Sequence, residues 1–236
     1  MDILLFGAFP YVAVVVFFIG TIWRYQTGFK YSSLSSQFLE TKKLFLSSVP
    51  FHVGILVILT GHFIGFLFPS WFTSAGGGGI ISFETITLAF GLSAIAGLIF
   101  LMIRRFQNER IMTVTTKMDI LIEFVLLVQF GLGIWIAIEL RWGSQWYAAV
   151  MVPYLRSIFT LDPNISAVSA MPVAVQLHVI GAFLFILLIP FTRLVHFLVA
   201  PFHYITRPYQ IVRWYWDKKA IRDTNTPWTT TRPKHL

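Results

Sequence analysis

Five runs of apolar residues dominate the chain, at about Leu4–Trp23, Leu46–Phe68, Glu84–Ile103, Met118–Leu140 and Val173–Val199. Each is as long as the roughly 20 helical residues needed to cross a hydrocarbon core about 30 Å thick. A membrane β-barrel would instead show short segments of alternating hydrophobicity. The pattern predicts an all-α membrane protein, a bundle of five transmembrane helices. The first run has no basic residues before it, and Trp23, Arg24 and Tyr25 follow it where a signal peptide would carry small residues. It is therefore expected to be a retained helix. Gly76-Gly77-Gly78-Gly79, between the second and third runs, is expected to be a flexible connector.

Composition narrows the class. Of the 236 residues, 56% are hydrophobic and 12% are charged, about half the charged share of a soluble domain. The chain has no Cys, which excludes disulfides, thiol nucleophiles and any iron–sulfur cluster held by this chain alone. A metal or cofactor bound here must use His or oxygen ligands. The net charge of +8 is explained by membrane orientation, and no nucleic-acid partner is expected. Of the 18 Lys and Arg residues, 15 fall in or beside the first loop, the third loop and the tail, which lie on one side of a five-span bundle. Positive loops stay cytoplasmic, so the N-terminus is expected outside and the C-terminus in the cytoplasm.

Four of the six His residues lie inside predicted spans: His52 and His62 in the second, His178 and His196 in the fifth. Polar side chains inside a bilayer are costly and commonly mark a function. His52 and His62 are separated by about 15 Å along a helix axis, and His178 and His196 by about 27 Å. Because the two helices run in opposite directions, depth pairs His62 with His178 and His52 with His196. Pro190 can kink the fifth helix and help reconcile the unequal separations. Eighteen residues make five whole turns, placing His178 and His196 on one face, whereas His52 and His62 lie about 80° apart. Each pair can clamp a planar metal macrocycle, and bis-imidazole ligation suits a b-type haem that transfers electrons. A proton relay and a structural role remain the alternatives. Gly54, Gly61 and Gly65 on the second helix, and Gly181 on the fifth, would leave room for a macrocycle or quinol, although Gly61-x-x-x-Gly65 also suits helix packing. Arg193 could pair with a haem propionate or snorkel to the interface.

Phe51-His52-Val53-Gly54-Ile55-Leu56, Gly61-His62-Phe63-Ile64-Gly65, Leu177-His178, Phe191-Thr192-Arg193-Leu194-Val195-His196 and Tyr204-Ile205-Thr206-Arg207-Pro208-Tyr209-Gln210-Ile211-Val212-Arg213 closely resemble the gamma, or cytochrome b, subunit of membrane-bound respiratory nitrate reductase. Smaller matches are Arg24-Tyr25, Ser35-Ser36-Gln37, Arg104-Arg105 and Thr115-Thr116 with Asp119-Ile120-Leu121-Ile122. The resemblance implies a five-helix subunit with two b haems in a bacterial or archaeal cytoplasmic membrane. It would take electrons from the quinone pool at the outer face and pass them to an iron–sulfur beta subunit and a molybdenum-containing alpha subunit in the cytoplasm. Residue by residue, His62 and His178 would ligate the outer haem iron, and His52 and His196 the inner one. The family's quinol site includes a lysine after the second helix, but Pro69 to Thr85 contains no Lys or Arg here. Ser82 or Glu84 is a candidate replacement, the alternative being that Glu84 is an ordinary first-turn acid.

Relatives in nitrite-oxidising or sulfur-metabolising complexes, with an altered or absent quinone site, are a second expectation, and a histidine-relay transporter is a third. Residues 1–213 are expected to form the di-haem membrane domain and residues 214–236 a cytoplasmic, partner-docking tail. Glu123 is expected near the headgroups at a helix end, the alternatives being that it leads protons or pairs with a basic group, and Trp135, Trp142 and Trp146 are expected in an aromatic belt. His203 and His235 are expected to be solvated or to touch a partner.

Overall fold

A computed structural model describes residues 1–27, 39, 42–74, 76–140 and 145–199, with the side chains of 42, 72–74 and 76–80 left aside. A π-helical turn, Ile3–Ala8, leads into α1 (Phe9–Gln26). There follow α2 (Lys42–Leu67), α3 (Pro69–Ser74), α4 (Gly76–Gln107), α5 (Glu109–Thr113) and α6 (Lys117–Glu139). A second π-helical turn, Tyr147–Met151, precedes α7 (Val152–Phe159), α8 (Ile165–Ser169) and α9 (Val173–Leu188), and 3-10 turns span Ile189–Phe191 and Arg193–Val199. Among the described residues, five helical segments are long and apolar enough to span a bilayer, as the sequence predicts: Ile3–Gln26, Lys43–Leu67, Ile81–Gln107, Lys117–Glu139 and Val173–Phe191.

Neighbouring spans follow the order α2, α4, α6, α9, α1, so the histidine-bearing α2 and α9 are not each other's main packing partners. Gly54 allows the close approach of α2 to α4, since a Cβ there would lie 2.6 Å from the Phe90 carbonyl oxygen and 2.8 Å from Ala94 Cβ. Gly61 faces Phe83 and Thr87 of α4, and Gly181 faces Gln129 of α6. These three glycines serve helix contact and do not open the macrocycle space expected of them. Large apolar residues such as Phe18, Leu56, Phe63, Phe124 and Trp135 point outward, as a lipid-facing surface requires.

The glycine run belongs to the first turns of α4 and is not a loop. The first backbone N–H groups of a helix need no intrahelical acceptor, so its opening turn is where glycine disturbs the fewest bonds. Glu84 consequently sits just over two turns into α4, and no acid occupies the first turn. α6 begins with a capping box: Thr116 Oγ1 accepts from the Asp119 backbone N–H, and the Thr116 N–H donates to Asp119 Oδ2.

Segment 145–169 is more ordered than a plain loop. Met151, Tyr154, Ile158 and Val168 bury themselves with Phe6, Ala13, Ile136, Val175, Val179 and Phe183, capping the bundle at the His62 end. A smaller cluster, Phe51, Leu98, Ile122, Leu126 and Leu188, fills the His52 end.

The fifth span is broken. Pro190 has no N–H, the α-helix ends at Leu188, and Thr192 is extended at φ −119° and ψ 178° before a new 3-10 turn carries His196. Counting five continuous turns from His178 to His196 therefore does not apply. Arg141, Trp142, His203, Trp214, Trp216, His235, the Tyr204 to Arg213 motif and the expected tail lie outside the described residues.

Candidate functional site

The histidines meet in two pairs. The ring centres of His62 and His178 are 6.4 Å apart with planes inclined by 34°, and those of His52 and His196 are also 6.4 Å apart, inclined by 64°. Both pairings are the ones that depth predicts. The break after α9 removes the mismatch of axial separations, because the chain between Leu188 and His196 does not continue straight down the helix.

Hydrogen bonds set the ring orientation. His52 Nδ1 lies 2.8 Å from the Ser48 carbonyl oxygen, His62 Nδ1 2.9 Å from that of Ile58, and His196 Nδ1 2.6 Å from that of Arg193. A carbonyl only accepts, so these contacts suit the tautomer in which Nδ1 carries the proton and Nε2 keeps a lone pair; Ser48 Oγ also lies 3.1 Å from His52 Nδ1. A metal bound to two imidazole nitrogens at about 2.0 Å each holds the ring centres roughly 6 Å apart, which matches both pairs. His178 differs: its Nδ1 is buried with no hydrogen-bond partner among the described residues, and its ring lies over Gly133, where a Cβ would come within 3.2 Å. Among the described residues no group of three or more His, Cys, Asp or Glu gathers.

Several supporting residues escape sequence reasoning. Tyr147 donates its hydroxyl to the His62 carbonyl oxygen at 2.9 Å, and the two rings lie 5.9 Å apart. Arg156 Nη2 donates to the Phe66 carbonyl at 3.0 Å and so caps the C-terminal end of α2. Gln129 Nε2 donates to the His178 carbonyl at 2.9 Å. A polar residue opposite a histidine span is the only signal the sequence offers for Gln129, and nothing marks Tyr147.

At the His52 end, Arg193 Nε sits 2.7 Å from Asp119 Oδ1 and its Nη2 donates to the Val114 carbonyl at 2.7 Å. Arg105 Nη2 is 2.8 Å from Glu123 Oε1, and its Nη1 is 3.9 Å from Asp119 Oδ2. Glu123 is thus buried in an ion pair with Arg105, as the alternative of pairing with a basic group has it. Gly65 is buried on α2, and Glu84 and Ser82 lie on α4, Glu84 half-buried and Ser82 exposed.

Fold and site together define an all-helical membrane protein with five candidate membrane-spanning helices and two histidine pairs. A profile of the family described as "Nitrate reductase gamma subunit" matches residues 2–215. The chain is 32% identical over 217 residues to the nitrate reductase gamma chain of Bacillus subtilis, covering 89% of this chain and 97% of that one. It is 34% identical over 221 residues to the respiratory nitrate reductase 1 gamma chain of Escherichia coli, covering 90% and 97%. The chain belongs to the nitrate reductase gamma subunit family.

Proposed function

We propose that this chain is a di-haem cytochrome b that anchors a nitrate reductase to the cytoplasmic membrane and links it to the quinol pool. His62 and His178 hold one b-type haem and His52 and His196 the other. The observation that carries this reading is the pair of opposed imidazole sets at 6.4 Å, three of whose four rings have Nδ1 on a carbonyl. Haem held by two imidazoles supplies one-electron transfer with both axial positions filled. The chain's own task is to fix the rings and surround them with apolar helices that exclude water.

In this reading the N-terminus is outside and the tail inside. Quinol is oxidised near His62 and His178, with Gly65 lining the space and Glu84 or Ser82 taking the place of the missing lysine. The tail, 214–236, docks the cytoplasmic beta subunit, whose iron–sulfur clusters this cysteine-free chain cannot supply. Electrons then continue to the molybdenum-containing alpha subunit. Moving a charge inward against the potential conserves about 2.3 kcal/mol per 100 mV. Asp119 and Val114 already engage Arg193 Nε and Nη2, which weakens the case for Arg193 as a propionate partner.

Visible spectroscopy of the purified full chain is the test. The expected result is a reducible low-spin spectrum with two components, one lost in His62→Ala and the other in His52→Ala; a colourless wild-type protein would favour a histidine-relay transporter and refute the haem reading. Glu84→Gln is expected to weaken quinol oxidation, and unchanged oxidation and inhibitor affinity would remove Glu84 from the site. The lysine-free segment Pro69 to Thr85 favours one second reading, a nitrite-oxidising or sulfur-metabolising relative without quinone contact. In that case quinol analogues would reduce neither component.

A further inference from the structure

His52 and His62 are oriented by carbonyls of the helix that carries them, so α2 alone fixes both rings. His196 is oriented the same way by the Arg193 carbonyl of its own 3-10 turn, but that turn stands apart from α9. Its 3-10 turn begins after the extended Thr192, and the hydrogen-bond ladder of α9 does not run through the break. Within the break Thr192 Oγ1 accepts from the Leu194 N–H at 3.3 Å, and groups outside the fifth span also hold the turn.

Two clamps hold it. Arg24, in the last turn of α1, donates from Nη1 to the Pro190 carbonyl at 2.6 Å and the Thr192 carbonyl at 3.0 Å, taking up acceptors on both sides of the break. Gly20 lets α1 come close enough, because a Cβ there would stand 2.9 Å from Pro190 Cβ. On the other side Asp119 grips Arg193 Nε at 2.7 Å, while the carbonyl of Arg193 accepts the His196 Nδ1 proton at 2.6 Å. Asp119 is immobilised by its capping box with Thr116. Groups that fix a ligating histidine's second nitrogen set its ring orientation and basicity.

We propose that Arg24 and Asp119 are positioning residues for His196, acting through the broken fifth helix, so that the His52–His196 site depends on α1 and α6 while His62 is held by its own helix. The proposal rests on the di-haem reading above. Its test uses the full-length chain with haem loaded, comparing Arg24→Gln, Arg24→Lys and Asp119→Asn with wild type. The two components are first assigned with His52→Ala and His62→Ala.

Arg24→Gln and Asp119→Asn are each expected to shift the low-spin electron paramagnetic resonance signal and midpoint potential of the His52–His196 component. That haem should also pass to an apomyoglobin scavenger about tenfold faster. The other component should stay as in wild type. Arg24→Lys, which keeps a charged donor, should give a smaller shift and accumulates even if Arg24→Gln does not fold. Unchanged signals, or equal changes in both components, would overturn the proposal while leaving the di-haem reading intact. A wild-type chain without low-spin haem would overturn both.

Discussion

Tyr147 joins the cap to the site through a hydrogen bond from its hydroxyl to the His62 carbonyl and through ring contact with His62. Burial raises its phenol from the ordinary value near 10 to about 12. An unfolded chain ionises this group earlier, so the associated stability is complete below about pH 10 and is lost as pH rises through about 12. Thermal unfolding of wild type between pH 9 and about 12 should show that decline, and Tyr147→Phe should flatten it; an unchanged slope would exclude Tyr147 as its source. A second residue-scale expectation concerns Glu123. Its removal in Glu123→Ala leaves the largely buried Arg105 with Thr115 Oγ1 at 2.9 Å and no carboxylate nearer than Asp119 at 3.9 Å, and should cost about 3 kcal/mol in chemical unfolding. The sequence shows Glu123 as an intramembrane acid but gives no sign of which arginine it meets. Arg105 lies 18 residues earlier on another helix, and only the bundle's packing order brings them together.

At the scale of elements, the spans were legible because each is a long apolar run, and the histidine pairs because antiparallel helices match residues by depth. The break in the fifth helix was visible only as Pro190; how far the chain turns there depends on Arg24 and Asp119, which belong to other helices. Glycine shows a different limit. The sequence shows where side chains are missing but not which neighbour uses the space, and Gly54, Gly61 and Gly181 turn out to face helices. Gly54→Ala should therefore separate α2 from α4 and lower stability by about 1–3 kcal/mol in detergent melts. Gly131→Ala, whose Cβ would meet nothing within 4 Å, should leave the melting temperature equal or higher.

For the whole molecule, the asymmetric charge makes a prediction about topology. With 15 of 18 basic residues assigned to one side, a fluorescent reporter fused after Leu236 should fold and glow in the cytoplasm, while a periplasm-dependent phosphatase at the same place should stay inactive. The opposite pattern would invert the proposed direction of electron flow. The helical cap at 145–169 was the largest part of the architecture not legible in the sequence. Its helices of eight and five residues are too short for periodicity to reveal, and Tyr154 and Arg156 acquire meaning only through the Phe6 and Phe66 carbonyls they reach. The arrangement of the pairs also bears on how the protein is made. Each site takes one imidazole from the second span and one from the last, so neither can close until the ribosome has passed His178, and the inner one only after His196. Until the fifth span is made, the two histidines of α2 have no partner imidazole. Assembly is thus ordered by the chain itself: insertion of the earlier helices comes first, and the ring pairs close only once α9 and the turn after it are in place.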